Sequence, residues 1–141
     1  MSEDVSAVET VKVYGGVRQA AREVPASAVK EWLAAETAEW TGRALPGMVS
    51  LEIGERVLEV VVGNPRASLV VWHKGFDEIA WSRGTIEAPD DWAYDYGGHR
   101  TTPYDDAAVP PTVAAEAVTE FIASGGARPT VLEWQEPEDA R

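Results

Sequence analysis

The sequence predicts an α+β fold, with a mostly antiparallel sheet of about five or six strands packed by two helices. Its 141 residues suffice for one hydrophobic core but are few for two. Residues 24–40 and the segment that begins at Pro111 carry apolar side chains at helical spacing. Between them, short segments alternate apolar and polar residues and are separated by turn residues. We therefore predict a single domain over residues 1–141, with a loose leader at 1–10 and an acidic tail at 136–141.

One strand and one helix are predicted in the first third of the chain. Val11–Tyr14 follows the polar leader and is expected to form an edge strand. The apolar residues of the helix share one face and are Val29, Trp32, Leu33 and Trp40. Glu36 lies on the same face, where an unpaired buried carboxylate would be costly. Either the helix ends near Glu36, or this carboxylate has a partner at the rim of the core.

Four strands of an antiparallel meander are predicted over residues 48–83. Their segments are 49–53, 56–62, 69–74 and 78–83. Gly54-Glu55 offers a tight turn between the first two, and Gly75 turns the chain between the last two. Parallel neighbours would need crossover connections that these short gaps cannot hold.

A long loop follows the meander. Residues 84–111 are rich in Pro, Gly, Asp and aromatic residues, and a short strand is expected within them at Trp92–Tyr96. Loops of this length are uncommon in compact domains and are often functional.

The second helix begins at Pro111, which suits a first turn because its missing N–H would have no partner there. Its apolar face consists of Val113, Ala114, Ala117, Val118, Phe121 and Ile122. Gly125-Gly126 can terminate the helix, and Thr130–Gln135 is the last predicted strand.

The charge balance excludes two classes of partner. Twelve Lys and Arg residues against 24 Asp and Glu residues give a net charge of −12. Nucleic-acid backbones and anionic membranes bind clustered Lys and Arg, so direct binding to either is not expected. The absence of cysteine excludes disulfides and suits a reducing compartment. With no apolar stretch long enough for a secretion signal or a membrane span, we predict a soluble protein of the cytoplasm.

Motifs for catalysis or cofactor binding do not occur in the sequence. His73 and His99 lie far apart and match no zinc-binding spacing. Phosphate-binding glycine loops and the G-x-S-x-G nucleophile motif are absent. Asp90 and Asp91 could act as general acid and base, but adjacent acids in a Pro-rich loop are typical of solvated side chains. We expect no enzyme activity, no cofactor and no metal.

The aromatic residues fall into two groups. Trp32, Trp72 and Trp134 lie at inward-facing positions of their elements and are expected in the core. The others lie beside carboxylates in and before the long loop, a composition typical of surfaces that complement Arg and Lys on a partner. The predicted partner-binding residues are Asp77, Glu78, Trp81, Asp90, Asp91, Trp92, Tyr94, Asp95, Tyr96 and Tyr104. The alternative is that these aromatic residues only pin the loop to the sheet beneath solvated acids.

A segment near the C-terminus resembles the signature of a known family. Residues 109–122 read V-P-P-T-V-A-A-E-A-V-T-E-F-I and are followed by Ser124-Gly125, Arg128-Pro129 and Glu133-Trp134. This run is similar to the helix, the G-x-R-P turn and the Trp-ending strand of the Imm1 family of bacterial immunity proteins. The family's strand, V-W and aromatic-loop elements resemble residues 47–53, 69–72 and 91–94, and the whole resemblance covers about residues 45–136.

The resemblance implies an antitoxin of the cytoplasm. Members of the family are encoded beside a polymorphic toxin, often one with a nucleic-acid deaminase domain, and neutralise it by direct binding without catalysis. An acidic domain suits this role, because a toxin that grips DNA or RNA carries a positive groove. The signature residues Phe121, Arg128, Pro129 and Trp134 are expected to be fold markers rather than contacts. Two other functions stay open: a general acidic interaction or DNA-mimic module, and a small enzyme that uses loop carboxylates.

Overall fold

The computed structural model describes residues 9–16 and 18–136 and confirms the α+β class. Its described residues form two helices and nine strands, so the predicted number of five or six strands is wrong. The helices are α1 (Val29–Thr41) and α2 (Pro111–Ala123). The strands are β1 (Thr10–Gly15), β2 (Ala20–Pro25), β3 (Gly47–Ile53), β4 (Arg56–Val62), β5 (Val70–Lys74), β6 (Glu78–Ser82), β7 (Tyr94–Tyr96), β8 (His99–Thr101) and β9 (Trp134–Gln135). Residues 1–8 of the predicted leader and 137–141 of the predicted tail lie outside the described residues.

All of these strands belong to one sheet. Seven of them run in the order β2-β1-β3-β4-β5-β6-β9, and each neighbouring pair is antiparallel. β1 pairs with β3 only along residues 50–52, which leaves the start of β3 free on that side. The β7–β8 hairpin lies beside the start of β3, where Gly47 and Asp95 form one parallel pair. The Asp95 amide donates a hydrogen bond to the Pro46 carbonyl at 2.8 Å.

The two strands that the sequence analysis missed carry little apolar pattern. β2 is an outer edge strand in which Val24 is the one buried side chain, so apolar and polar residues do not alternate along it. β8 has three residues, none of them buried, and pairs with β7 alone.

β9 is shorter than predicted. The sequence predicted a strand over Thr130–Gln135, but only Trp134–Gln135 pairs with β6. The Glu120 carboxylate of α2 accepts hydrogen bonds from the amides of Thr130 at 2.7 Å and Val131 at 3.0 Å. Because these two amides are bonded to a side chain, they are not available to β6, and the pairing of β9 with β6 begins after them.

Both helices of the described chain pack on one face of the sheet, and neither is long and apolar enough to span a membrane. Their buried side chains are Val29, Trp32 and Trp40 of α1 and Ala114, Ala117, Val118 and Phe121 of α2. Trp40 lies against Gly47 and Gly63, and a Cβ on either glycine would overlap the tryptophan. These two glycines therefore let the end of α1 approach the sheet closely.

Glu36 resolves the ambiguity of the first helix. α1 continues past it to Thr41, and the Glu36 Oε1 accepts a hydrogen bond from the Gly16 amide at 2.8 Å. The carboxylate thus has a partner at the rim of the core, which is the second of the two alternatives.

The long loop covers the opposite side of the sheet, which we call the loop face. A second buried cluster lies there and comprises Met48, Val61, Ala67, Leu69, Val71, Trp92, Tyr94, Ala107 and Ala108. Ser68 and Val109 exchange backbone hydrogen bonds of 2.8 and 3.0 Å, and the Ser82 hydroxyl donates to the Ala107 carbonyl at 2.8 Å. These bonds hold the end of the loop against the sheet.

The C-terminal signature residues make contacts within the fold. The Arg128 guanidinium lies 4.9 Å from the centre of the Trp72 ring, and the Trp72 indole donates to the Gly126 carbonyl at 3.0 Å. The Trp134 indole donates to the Pro129 carbonyl at 2.8 Å. The segment after α2 is therefore attached to β5 through Trp72, which contacts both Arg128 and Gly126.

We expect Phe121→Ala to lower the free energy of unfolding by about 3–5 kcal/mol, the usual cost of truncating a buried aromatic side chain. Phe121 is fully buried between α2 and the sheet. Phe76→Ala is the matched control, because Phe76 is the chain's other phenylalanine and projects fully into solvent at the β5–β6 turn. Urea unfolding of both variants measures the difference, and equal stabilities would contradict the packing of α2 described here.

Candidate functional site

The predicted partner-binding residues lie in two places. Asp77 and Glu78 are exposed at the β5–β6 turn, beside the fully exposed Phe76. The others lie on the loop face, where some side chains are buried and some are exposed. Sequence analysis missed Phe76, although an apolar residue next to two acids and a turn glycine is a visible signal.

Two of the predicted contact residues lie inside the loop-face cluster. Trp92 is 6% exposed and Tyr94 is 7% exposed, and both pack among the apolar side chains of β3, β4 and β5. The structure therefore places them beneath the surface, where they hold the loop on the sheet. The Trp92 Nε1 is buried without a hydrogen-bond partner among the described residues.

Four carboxylates surround a hollow on the loop, which we call the acidic hollow. It has a volume of about 700 Å³. Its lining includes Glu87, Asp90, Asp91 and Asp105 together with Trp92, Arg100 and Thr102. Asp91 has a φ of 54°, a left-handed conformation that Asp and Asn tolerate better than most residues. The four acids are exposed, so the hollow presents negative charge to solvent.

The remaining predicted residues border this region. Trp81 and Tyr104 meet edge to face, with ring centres 5.5 Å apart, and Tyr104 stays 39% exposed. The Asp95 Oδ1 accepts a hydrogen bond from the Gly98 amide at 2.7 Å, which shapes the β7–β8 turn. Tyr96 is 46% exposed, and its hydroxyl donates to the Glu59 Oε2 at 3.1 Å.

Glu59 is a functional candidate that sequence analysis missed. It lies on β4 opposite Ser50 of β3, on the loop face, and its side chain is 14% exposed. The His73 Nε2 of β5 lies 3.9 Å from the Glu59 Oε1. We call Glu59, His73, Tyr96, Tyr94 and Ser50 the Glu59 cluster. The signal that could have found it is a single carboxylate inside the β-branched run 56–62.

Burial governs the electrostatics of this cluster. Removal from water raises the pKa of the Glu59 carboxyl, and the His73 charge and hydrogen bonds from Tyr96 and Ser50 oppose this effect. Burial followed by the Glu59 charge raises the pKa of Tyr96 to about 12. The same two causes raise the pKa of Tyr94. At neutral pH both tyrosines are therefore uncharged, and the Tyr96 hydroxyl donates to Glu59.

This arrangement is chemically suited to receiving a cation. Glu59 offers carboxylate oxygens at the edge of an aromatic surface formed by Tyr94 and Tyr96, whose ring centres are 6.3 Å apart. Among the described residues, no group of three or more His, Asp or Glu side chains is placed to hold a metal ion.

The helix side of the sheet offers a different kind of surface. An apolar groove of about 430 Å³ runs between α1 and α2 over the end of β4. Its lining includes Leu33, Thr37, Val62, Pro111 and Ala115. It carries no carboxylate, whereas the loop face combines exposed acids with tyrosines.

The sequence matches a known protein family over most of its length. A sequence model of the family described as "Immunity protein Imm1" matches residues 15–136. The match spans both helices and, apart from β1, every strand described above. No curated protein matches the chain.

We expect Glu59→Gln to raise the free energy of unfolding at neutral pH, with a gain that vanishes toward pH 4. The pKa of Glu59 is higher in the folded protein than its ordinary value of 4.5 in the unfolded chain. The free energy of unfolding is therefore unaffected by this carboxyl below pH 4.5 and falls as the pH rises through the raised pKa, where the buried group loses its proton. Glutamine has almost the same shape and carries no charge, so it removes this loss. Urea unfolding at both pH values measures the effect.

The control for this substitution is Glu55→Gln, an exposed carboxylate in the β3–β4 turn, which should change stability by less than about 0.5 kcal/mol. A Glu59→Gln protein less stable than the parent at neutral pH would show that the buried charge supports the fold.

Proposed function

The chain belongs to the Imm1 family of immunity proteins, and we propose that it neutralises a cognate bacterial toxin by binding it directly through the loop face. The family match over residues 15–136 carries the assignment to this class of function. An immunity protein of this kind acts by occupying its target, so it needs a preformed surface rather than catalytic groups. The sheet and the bonded loop provide such a rigid support.

The proposed partner is a basic enzyme that acts on nucleic acid, a class that includes the deaminase toxins. Such an enzyme needs a positive groove to hold a phosphate backbone. The net charge of −12 attracts this groove over a long range and competes with its nucleic-acid substrate. Because nucleic acids lie in the cytoplasm of the bacterium, we propose that the two proteins meet there.

We propose the acidic hollow as the part of the loop face that steers the encounter. Its carboxylates are exposed, and charges of this kind mainly change the rate of association. The exposed rings of Tyr96 and Tyr104 border the same face and supply contact area of the type enriched at binding hot spots. Trp92 and Tyr94 contribute indirectly, by holding the loop on the sheet.

Co-expression with the toxin encoded beside this chain's gene tests the proposed function. We expect a one-to-one complex in a pull-down and survival of cells that make both proteins. Growth arrest in the presence of this chain, together with no complex, would contradict the proposal. A complex that forms equally well with unrelated basic proteins would favour a general acidic interaction module.

We expect the double variant Asp90→Asn and Asp91→Asn to slow association with the toxin by about tenfold, the low end of the range seen among variants of one interface. The effect should shrink as salt screens the exposed charges. Asparagine also tolerates the left-handed backbone at position 91, so the fold should be unchanged. Stopped-flow or surface plasmon resonance at low and high ionic strength measures both rates.

A second double variant, Glu31→Gln and Glu116→Gln, is the matched control. These exposed acids lie on α1 and α2, on the other side of the sheet, and their replacement changes the net charge by the same amount. Equal slowing by the two double variants would show that total charge matters and that the acidic hollow has no special part.

A further inference from the structure

A mostly enclosed carboxylate lies on the loop face at Glu59, where its one ionic contact among the described residues is the distant His73, and we infer that it receives an arginine side chain of the toxin. The inference rests on the proposed function, since it takes the partner to be a basic protein. It adds one specific contact to a surface that otherwise attracts by general charge.

The surroundings of Glu59 leave its charge poorly balanced. Its closest ion-pair contact among the described residues is His73, at the long distance of 3.9 Å, and the arginines that form salt bridges pair with Glu39 and Glu136 instead. A carboxylate withdrawn from water is costly unless a cation and hydrogen bonds offset the loss of hydration. In the free protein, Tyr96 and Ser50 supply hydrogen bonds but no charge.

The geometry favours a guanidinium as the missing cation. A planar guanidinium can donate to a carboxylate while it lies against an aromatic ring, and it is less strongly hydrated than an ammonium group. Tyr96 is a 46% exposed residue whose hydroxyl already donates to Glu59. The Glu59 carboxylate, whose side chain is 14% exposed, therefore lies beside a partly exposed tyrosine against which such a group can stack.

Glu59 and the acidic hollow should act on different rate constants. Exposed acids steer the encounter, and salt screens them. A charge pair that becomes buried in the complex is screened much less and resists dissociation. The two contributions can therefore be separated by kinetics at different ionic strengths.

The test measures binding of the Glu59→Gln protein to the toxin encoded beside this chain's gene. We expect the affinity to fall about 30-fold or more, mostly through faster dissociation, and the loss to persist at high salt. The matched control is Glu52→Gln, a carboxylate on the loop side of β3 that bonds to the Tyr14 hydroxyl at 3.0 Å. It should change the affinity by less than about threefold if the effect is specific to Glu59.

The identity of the cation is tested by replacing each arginine and lysine of the toxin with alanine. The affinity of each toxin variant is measured for the parent chain and for the Glu59→Gln protein. Replacement of one toxin arginine should weaken binding to the parent chain but weaken binding to the Glu59→Gln protein much less, as expected for a coupled pair. Coupling to a lysine, or to no basic residue, would overturn the inference.

The two proposals fail in different ways. If the parent chain binds the toxin and Glu59→Gln binds equally well, the Glu59 contact is wrong and the proposed function stands. If the parent chain does not bind the toxin, both are wrong. Unfolding of the same samples accompanies each measurement, because a weaker complex with unchanged or higher stability distinguishes a contact residue from one that only supports the fold.

Discussion

The central strands are buried on both faces, and this burial decides where the helices and the long loop must lie. Along β4, Val60 faces the helices and Val61 faces the loop, and neighbouring strands show the same division. Antiparallel sheets commonly expose one face to water, but a run such as Val60-Val61-Val62 places apolar side chains on both faces. The long loop must therefore lie across the sheet, and its aromatic residues become part of the core.

The long loop covers only part of the loop face, and at the edge of the covered part apolar side chains give way to polar ones. Trp92 and Tyr94 complete the apolar cluster, whereas Tyr96, two residues further along β7, is half exposed and bonds to Glu59. The same short strand thus holds the loop in place and forms the border of the polar cluster. A carboxylate at such a border is only partly hydrated, which raises its pKa and makes its charged form costly unless a partner balances it. Binding proteins commonly give up some stability at the residues on which their function depends.

The acids on the loop have a different physical role from the enclosed one. The acidic hollow lies on a loop whose two ends are joined by backbone hydrogen bonds from Gly84 and Thr85, and Val109 bonds to Ser68 just before β5, so the backbone that carries its charges is held in place. Fixed charges on an exposed surface raise encounter rates without costing much stability, because water still solvates them. Long-range attraction and close-range pairing are then supplied by different residues of one face.

Sequence alone was enough to predict the α+β class, the antiparallel meander, the start of α2 at Pro111 and the family to which the chain belongs. These features depend on local signals, since periodicity, turn residues and a compact signature can be seen within short windows. Three features became visible only in the folded chain: Trp92 and Tyr94 are buried, the Gly16 amide bonds to Glu36, and Tyr96 bonds to Glu59, which lies 37 residues away in the sequence. Each of these depends on which face of the sheet a distant segment covers. No local pattern contains that information, because it depends on how segments far apart in the sequence pack together in the folded chain.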